Sequence, residues 1–169
     1  MYSGVVKPAP PAWLVVVLVL AGGLLGHAQE AIYVVRHAER ADQSADSALS
    51  TQGLNRADRL RDALRDAGVT QIFTSELRRT IATAAPLAAV RHLTPQQIPA
   101  ADAATLAARI AAAGPRDRVL VVGHSNTVPA LLRTLQVDAS IVIGDDDYDN
   151  LFIVVPQKEG RPVLLRLKY

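Results

Sequence analysis

Short apolar runs alternate with helix-period segments along most of this chain, and that alternation constrains its fold more than any other feature. The firmest of the runs, Val119-Leu120-Val121-Val122, is four consecutive apolar residues, three of them valine. It reads as a strand buried on both faces. Ala31 to Val35 reads as an earlier strand, Gln71 to Thr74 as a second, and Ile98, between Pro95 and Pro99, marks a weak third. Between Gln52 and Ala67, the residues Leu54, Ala57, Leu60, Leu64 and Ala67 form one helical stripe, and Gly68 is placed to stop that helix. Ser75 is expected to cap a second helix, with Glu76 in its first turn. That helix is expected to reach about Val90, with a kink or early stop at Pro86. Asp102 to Ala112 is an alanine-rich helix, and Asn126 to Leu135 a helix that tolerates Pro129 in its first turn. Leu151 to Val155 and Val163 to Leu167 read as two last strands about a Lys158-Glu159-Gly160 turn. The alternation predicts an α/β protein, a three-layer α/β/α sandwich with a mostly parallel central sheet and an antiparallel edge.

The chain has 169 residues, half of them hydrophobic, which suits one domain with a sizeable core. A formal net charge of +2, with no basic run interleaved with aromatics, argues against a nucleic-acid partner. There is no cysteine, which excludes disulfides, thiolate catalysis and cysteine-ligated metal. Residues 1–28 read as a signal peptide: Lys7 near the start, an uncharged apolar stretch from Ala12 to Gly26, then Gly26-His27-Ala28 as a cleavage site. Residues 29–169 would form the mature domain, periplasmic or secreted, with no stable membrane association after cleavage. The alternative is a membrane anchor formed by an uncleaved leader, although the stretch is shorter than the roughly 20 residues of a spanning helix.

Ligands of open α/β sheets bind beyond the carboxyl ends of the strands. The first strand exits into Arg36, His37, Glu39 and Arg40. The second exits into Thr74, Ser75 and Glu76, with Arg78 and Arg79 a turn later, and the Val119 run exits into Gly123, His124, Ser125 and Asn126. Cations, two imidazoles and a helix start are therefore expected at one rim, which suits a phosphate. One imidazole can attack phosphorus and carry the phosphoryl group, while the other donates to a nonbridging oxygen. Arginines would stabilise the equatorial oxygens in the transition state, so no metal and no cofactor is required. The acidic cluster Asp145-Asp146-Asp147 with Asp149 lacks the spacing of a calcium loop and reads as a solvated turn. Tyr148 is a candidate for the pocket rim, and His92 reads as a surface residue.

Four segments also carry a resemblance. Val34-Val35-Arg36-His37-Ala38-Glu39, Leu49-Ser50-Thr51-Gln52-Gly53, Thr74 through Thr83, and Val122-Gly123-His124-Ser125 resemble, in order, the motifs of the histidine phosphatase, or phosphoglycerate mutase-like, superfamily. That likeness runs from Ile32 to about Leu132. It implies a phosphoglycerate mutase-like fold, His37 as the nucleophile that becomes phosphohistidine, and Arg36 and Arg79 as ligands of the phosphoryl oxygens. His124 would be the second pocket histidine and Arg40 an extra substrate contact. The chain departs from the family at Ala38, where glycine is usual, and at Ser125, where one branch has an aspartate. The general acid is therefore open between Asp102 and Glu39, with Glu76 a further alternative. The implied activity is hydrolysis of a phosphomonoester or phosphoramidate on a small phosphorylated substrate. A phosphomutase and a silent phosphate-binding module are the competing readings, and oligomeric state is not legible.

Overall fold

The computed structural model describes residues 29–137 and 140–169. The expected signal peptide, 1–28, lies outside the described residues. Ten elements follow one another: β1 (Ala31–Arg36), α1 (Thr51–Leu64), β2 (Gln71–Thr74), α2 (Arg78–Arg91), β3 (Gln96–Gln97), α3 (Ala103–Ala111), β4 (Arg118–Gly123), α4 (Thr127–Thr134), β5 (Asn150–Val155) and β6 (Val163–Lys168). One sheet runs in the order β3-β2-β4-β1-β5-β6. The first four of these strands are mutually parallel, while β5 and β6 are antiparallel additions at the β1 edge.

Strand alternation divides the core into two halves, as the period of 2 requires. Ile32, Val34, Phe73, Val119 and Val121 pack on one face with Ile110 of α3 and Val128, Leu131 and Leu132 of α4. Tyr33, Val35, Ile72, Leu120 and Val122 pack on the other with Leu60 and Leu64 of α1 and Ala84 and Leu87 of α2. A helical layer therefore covers each face, and the molecule is the expected three-layer sandwich.

Several local expectations differ from the structure. Leu54 was expected on the buried stripe of α1, yet it is 54% exposed. The buried positions are Gly53, Ala57, Leu60 and Leu64. A Cβ on Gly53 would lie 2.3 Å from the Glu39 carbonyl oxygen, so the helix backbone itself is pressed against the loop after β1 and its face is turned accordingly. Pro86 neither stops nor shortens α2, which runs unbroken to Arg91. A proline inside a helix costs about 3 kcal/mol. Burial of Thr83, Ala84, Leu87 and Ala88 on either side of it offsets that penalty. Ser75 does not cap α2: the helix starts two residues later than expected, with Leu77 at the cap position and no side-chain cap. Ile98 lies just beyond the two-residue β3, its amide donating to the Thr74 carbonyl at 2.9 Å.

Candidate active site

Parallel strands β1, β2 and β4 end side by side, so the residues after each are delivered to one rim. The exits of β1 and β4 are joined directly, the His37 amide donating to the Gly123 carbonyl at 2.8 Å. The two imidazoles meet there, with ring centroids 5.3 Å apart and planes inclined by 61°. Both residues are buried, at 4% and 8% exposure.

His37 is oriented by its neighbour. Its Nδ1 lies 2.7 Å from the Ala38 carbonyl oxygen, which only a donating N–H can satisfy. The lone pair of the neutral ring is therefore on Nε2. The Ala38 peptide is in turn held by Thr83 of α2, whose hydroxyl accepts from the Ala38 amide at 2.9 Å and donates to the Arg79 carbonyl at 2.7 Å. His124 is fixed through Ser75. With Thr80 donating to the Leu77 carbonyl (2.8 Å), Ser75 donates to Thr80 (2.9 Å) and accepts from His124 Nε2 (3.0 Å).

Both rings are held neutral. Burial pushes His37 down to about 3, reinforced by His124, Arg79 and Arg36 and opposed by its bond to Ala38. Burial likewise pushes His124 down to about 4, with Arg79 and Arg36 assisting and Glu76 opposing. Desolvation disfavours the charged ring, and nearby cations add to it.

The arginines carry the rest of the positive charge. Arg36 is 5% exposed and stacks over the Tyr148 ring at 4.0 Å. Its Nη1 donates to the carbonyls of Gly144 (2.7 Å) and Asp145 (2.8 Å). Arg79 donates from Nη1 to the Ala45 carbonyl at 2.8 Å. Burial, then the like charge of Arg40, lowers its pKa. The Nε–H groups of both Arg36 and Arg79 are buried without a hydrogen-bond partner. A buried unpaired guanidinium donor is costly, and an anion bound between the two side chains would satisfy it.

The expected acids are placed differently from these groups. The Glu39 carboxylate takes a fork from Arg56, at 2.8 and 2.9 Å from Nε and 2.7 Å from Nη2. Asp102 caps α3, accepting from the Thr105 amide at 2.9 Å, and that bond lowers its pKa. Glu76, at the exit of β2, is the acid whose charge acts on both His124 and Arg79. Its carboxylate also accepts from the Ala100 amide at 2.8 Å. Arg40 is half-buried, donates to Gln43 Oε1 at 2.5 Å and sits close enough to Arg79 to perturb it.

Thr83, Thr80 and the 144–147 turn received no role from the sequence. Thr80 and Thr83 both lie within the Thr74–Thr83 segment and were more legible than the turn. The turn serves Arg36 through main-chain carbonyls, which side-chain identity does not encode.

Residues 32–102 match the histidine phosphatase superfamily, branch 1. His124 lies beyond that stretch, and the structure places its ring 5.3 Å from that of His37. The fold resembles that of a candidate phosphohistidine phosphatase, SixA, from Agrobacterium tumefaciens (TM-score 0.66, 21% identity, 83% of this chain and 98% of that one). It also resembles a mycobacterial glucosyl-3-phosphoglycerate phosphatase solved with inorganic phosphate (TM-score 0.64, 16% identity, 83% and 96%). A third resemblance is to the protein histidine phosphatase SixA complexed with tungstate (TM-score 0.64, 16% identity, 82% and 96%). No curated protein matches the chain in sequence. At such identities the structural likenesses speak for the fold. Taken with the match from Ile32 to Asp102, which spans less than half of the chain, they make this protein similar to the histidine phosphatase superfamily, with a phosphoglycerate mutase-like α/β fold.

Proposed function

We propose that this protein is a phosphatase that hydrolyses a phosphomonoester or phosphoramidate through a phosphohistidine at residue 37. The observation that carries the reading is the pairing of a neutral, oriented imidazole with two buried guanidinium donors that lack partners. The phosphoryl oxygens take the Nε–H groups of Arg36 and Arg79, and Arg40 contacts the remainder of the substrate. His37 Nε2 attacks phosphorus as the bond to the leaving atom breaks, and that atom takes a proton from Glu76. The Ala38 carbonyl, bonded to Nδ1–H, stabilises the positive phosphoimidazole. Water then attacks phosphorus, its proton passes to the Glu76 carboxylate, the P–N bond breaks, and inorganic phosphate leaves. His124 gains a proton as the anion arrives and donates to an oxygen, because a nearby negative charge favours the imidazolium. The resident groups supply the positive charge, so the reaction as drawn calls for no metal or other cofactor. The leader-like segment 1–28 supports an exported enzyme, and amino-terminal sequencing of the protein recovered from its host tests that point.

Incubation with an aryl phosphate should release phosphate and yield an acid-labile, base-stable phosphoenzyme on rapid quench. His37→Ala should lose both. Turnover that survives in His37→Ala overturns the assignment.

A further inference from the structure

A cleft of about 200 Å³ opens beside the candidate site, between α3 and α4. Ile98, Pro99 and Leu106 line one side and Val128 and Leu131 the other, while Ser75, Gly123 and His124 complete its wall. The cleft and the phosphate site thus share His124 and Ser75, which are hydrogen-bonded to each other.

Its position follows from the order of the sheet. The lining comes from β2, β4 and the segments after them, and none of it from β1. His37 follows β1, on the other side of β4. Phosphoryl transfer places nucleophile and leaving group roughly in line on opposite sides of phosphorus. A phosphoryl group held between His37 and His124 would therefore send its leaving group toward β2 and the cleft.

The chemistry of the cleft selects that group. Among the described residues that line it, Asp102 is the one carboxylate, and there is no lysine or arginine. Such a wall disfavours a leaving group bearing a second phosphate or a carboxylate, and favours apolar surface. At about 30 Å³ for each water-sized group, the space suits roughly seven such groups. We infer that the cleft binds the leaving group, and that the enzyme's substrates are phosphate monoesters of small, uncharged, largely apolar alcohols or phenols. This inference rests on the phosphatase reading for the direction of the leaving group.

Ethyl-, butyl- and hexylphosphonate, titrated calorimetrically into the protein, test it without turnover. The dissociation constant should fall about fourfold for each added methylene, the value expected for burying one. Ala103→Phe, at an exposed position on the rim, and Leu106→Trp, inside the cleft, should each flatten that gradient. A dissociation constant that does not change with chain length, or a gradient that survives in both variants, overturns the inference. Phenyl phosphate hydrolysis is measured in parallel. A gradient without hydrolysis keeps the cleft and removes the phosphatase reading. Hydrolysis without a gradient does the opposite.

Discussion

Replacing Thr83 by valine isolates the contact that holds the nucleophile's loop to α2. Thr83 and Ala38 are both 0% exposed, and the threonine hydroxyl is the acceptor for the Ala38 amide. Valine keeps the volume and the β-branch but cannot accept, so that amide becomes buried and unpaired. An orphaned buried donor costs about 1–3 kcal/mol. The Arg79 carbonyl loses less, because it remains in the α-helical ladder. For a domain of this size each kcal/mol lowers Tm by about 2–4 °C, so calorimetry should record a fall of about 2–12 °C. The Ala38 carbonyl also holds His37 Nδ1, so freeing that peptide loosens the nucleophile. Turnover of an aryl phosphate should fall in kcat with KM little changed, and Thr83→Ser should recover both stability and rate. A valine variant that melts within about 1 °C of the parent would refute the reasoning, since no orphaned donor has so small an effect. Equal deficits in the serine and valine variants would refute it as well.

Gly53→Ala should destabilise despite alanine's higher helix propensity of about 1 kcal/mol. Its Cβ would fall 2.3 Å from the Glu39 carbonyl oxygen, and overpacking of that kind costs about 1–3 kcal/mol or more. A lowered denaturation midpoint is the expected result. Glu39→Gln should lose about 1.5–3 kcal/mol by breaking the fork to Arg56, yet leave the dependence of kcat on leaving-group pKa unaltered. Glu76→Gln should steepen that dependence, and the reverse pattern would move the proton donor to Glu39. Stability should also depend on pH in a stated direction. Folded, His37 and His124 titrate near 3 and 4, whereas unfolded both titrate near 6.5. Between these values the unfolded chain binds more protons. Their contribution is therefore complete above about 6.5 and lost as pH falls toward the folded values, by up to about 1.4 kcal/mol per unit for each histidine. Urea midpoints at pH 7.5 and 5 should fall in that order for the parent and lie close together for the double variant His37→Ala/His124→Ala. A midpoint that rises toward pH 5 contradicts the burial of neutral rings.

Sequence by itself determined the strands and helices whose side chains repeat with a fixed period. The Val119 run, the Leu60–Leu64 stripe and the closing hairpin were legible because burial on a pleated or helical surface selects residues at that spacing. It also determined which polar residues leave each strand, and hence that Arg36, His37, Ser75, Arg79 and His124 share an edge. Tertiary structure decided what each of those groups does. In the sequence Glu39 ranks with Asp102, ahead of Glu76, as proton donor, and only the fold shows Arg56 against it. Asp102 lines the cleft beside His124, and only the fold shows that its carboxylate also caps α3. The early stop considered at Pro86 does not occur, and α2 runs on to Arg91 with Leu87 and Ala88 buried beyond the proline. Arg36 is held by main-chain oxygens more than a hundred residues away, and Gly53 matters for a carbonyl in another segment. Periodicity records short-range geometry repeated along the chain. Contacts between backbone groups of distant segments leave no pattern in side-chain identity, so only the packed chain discloses them.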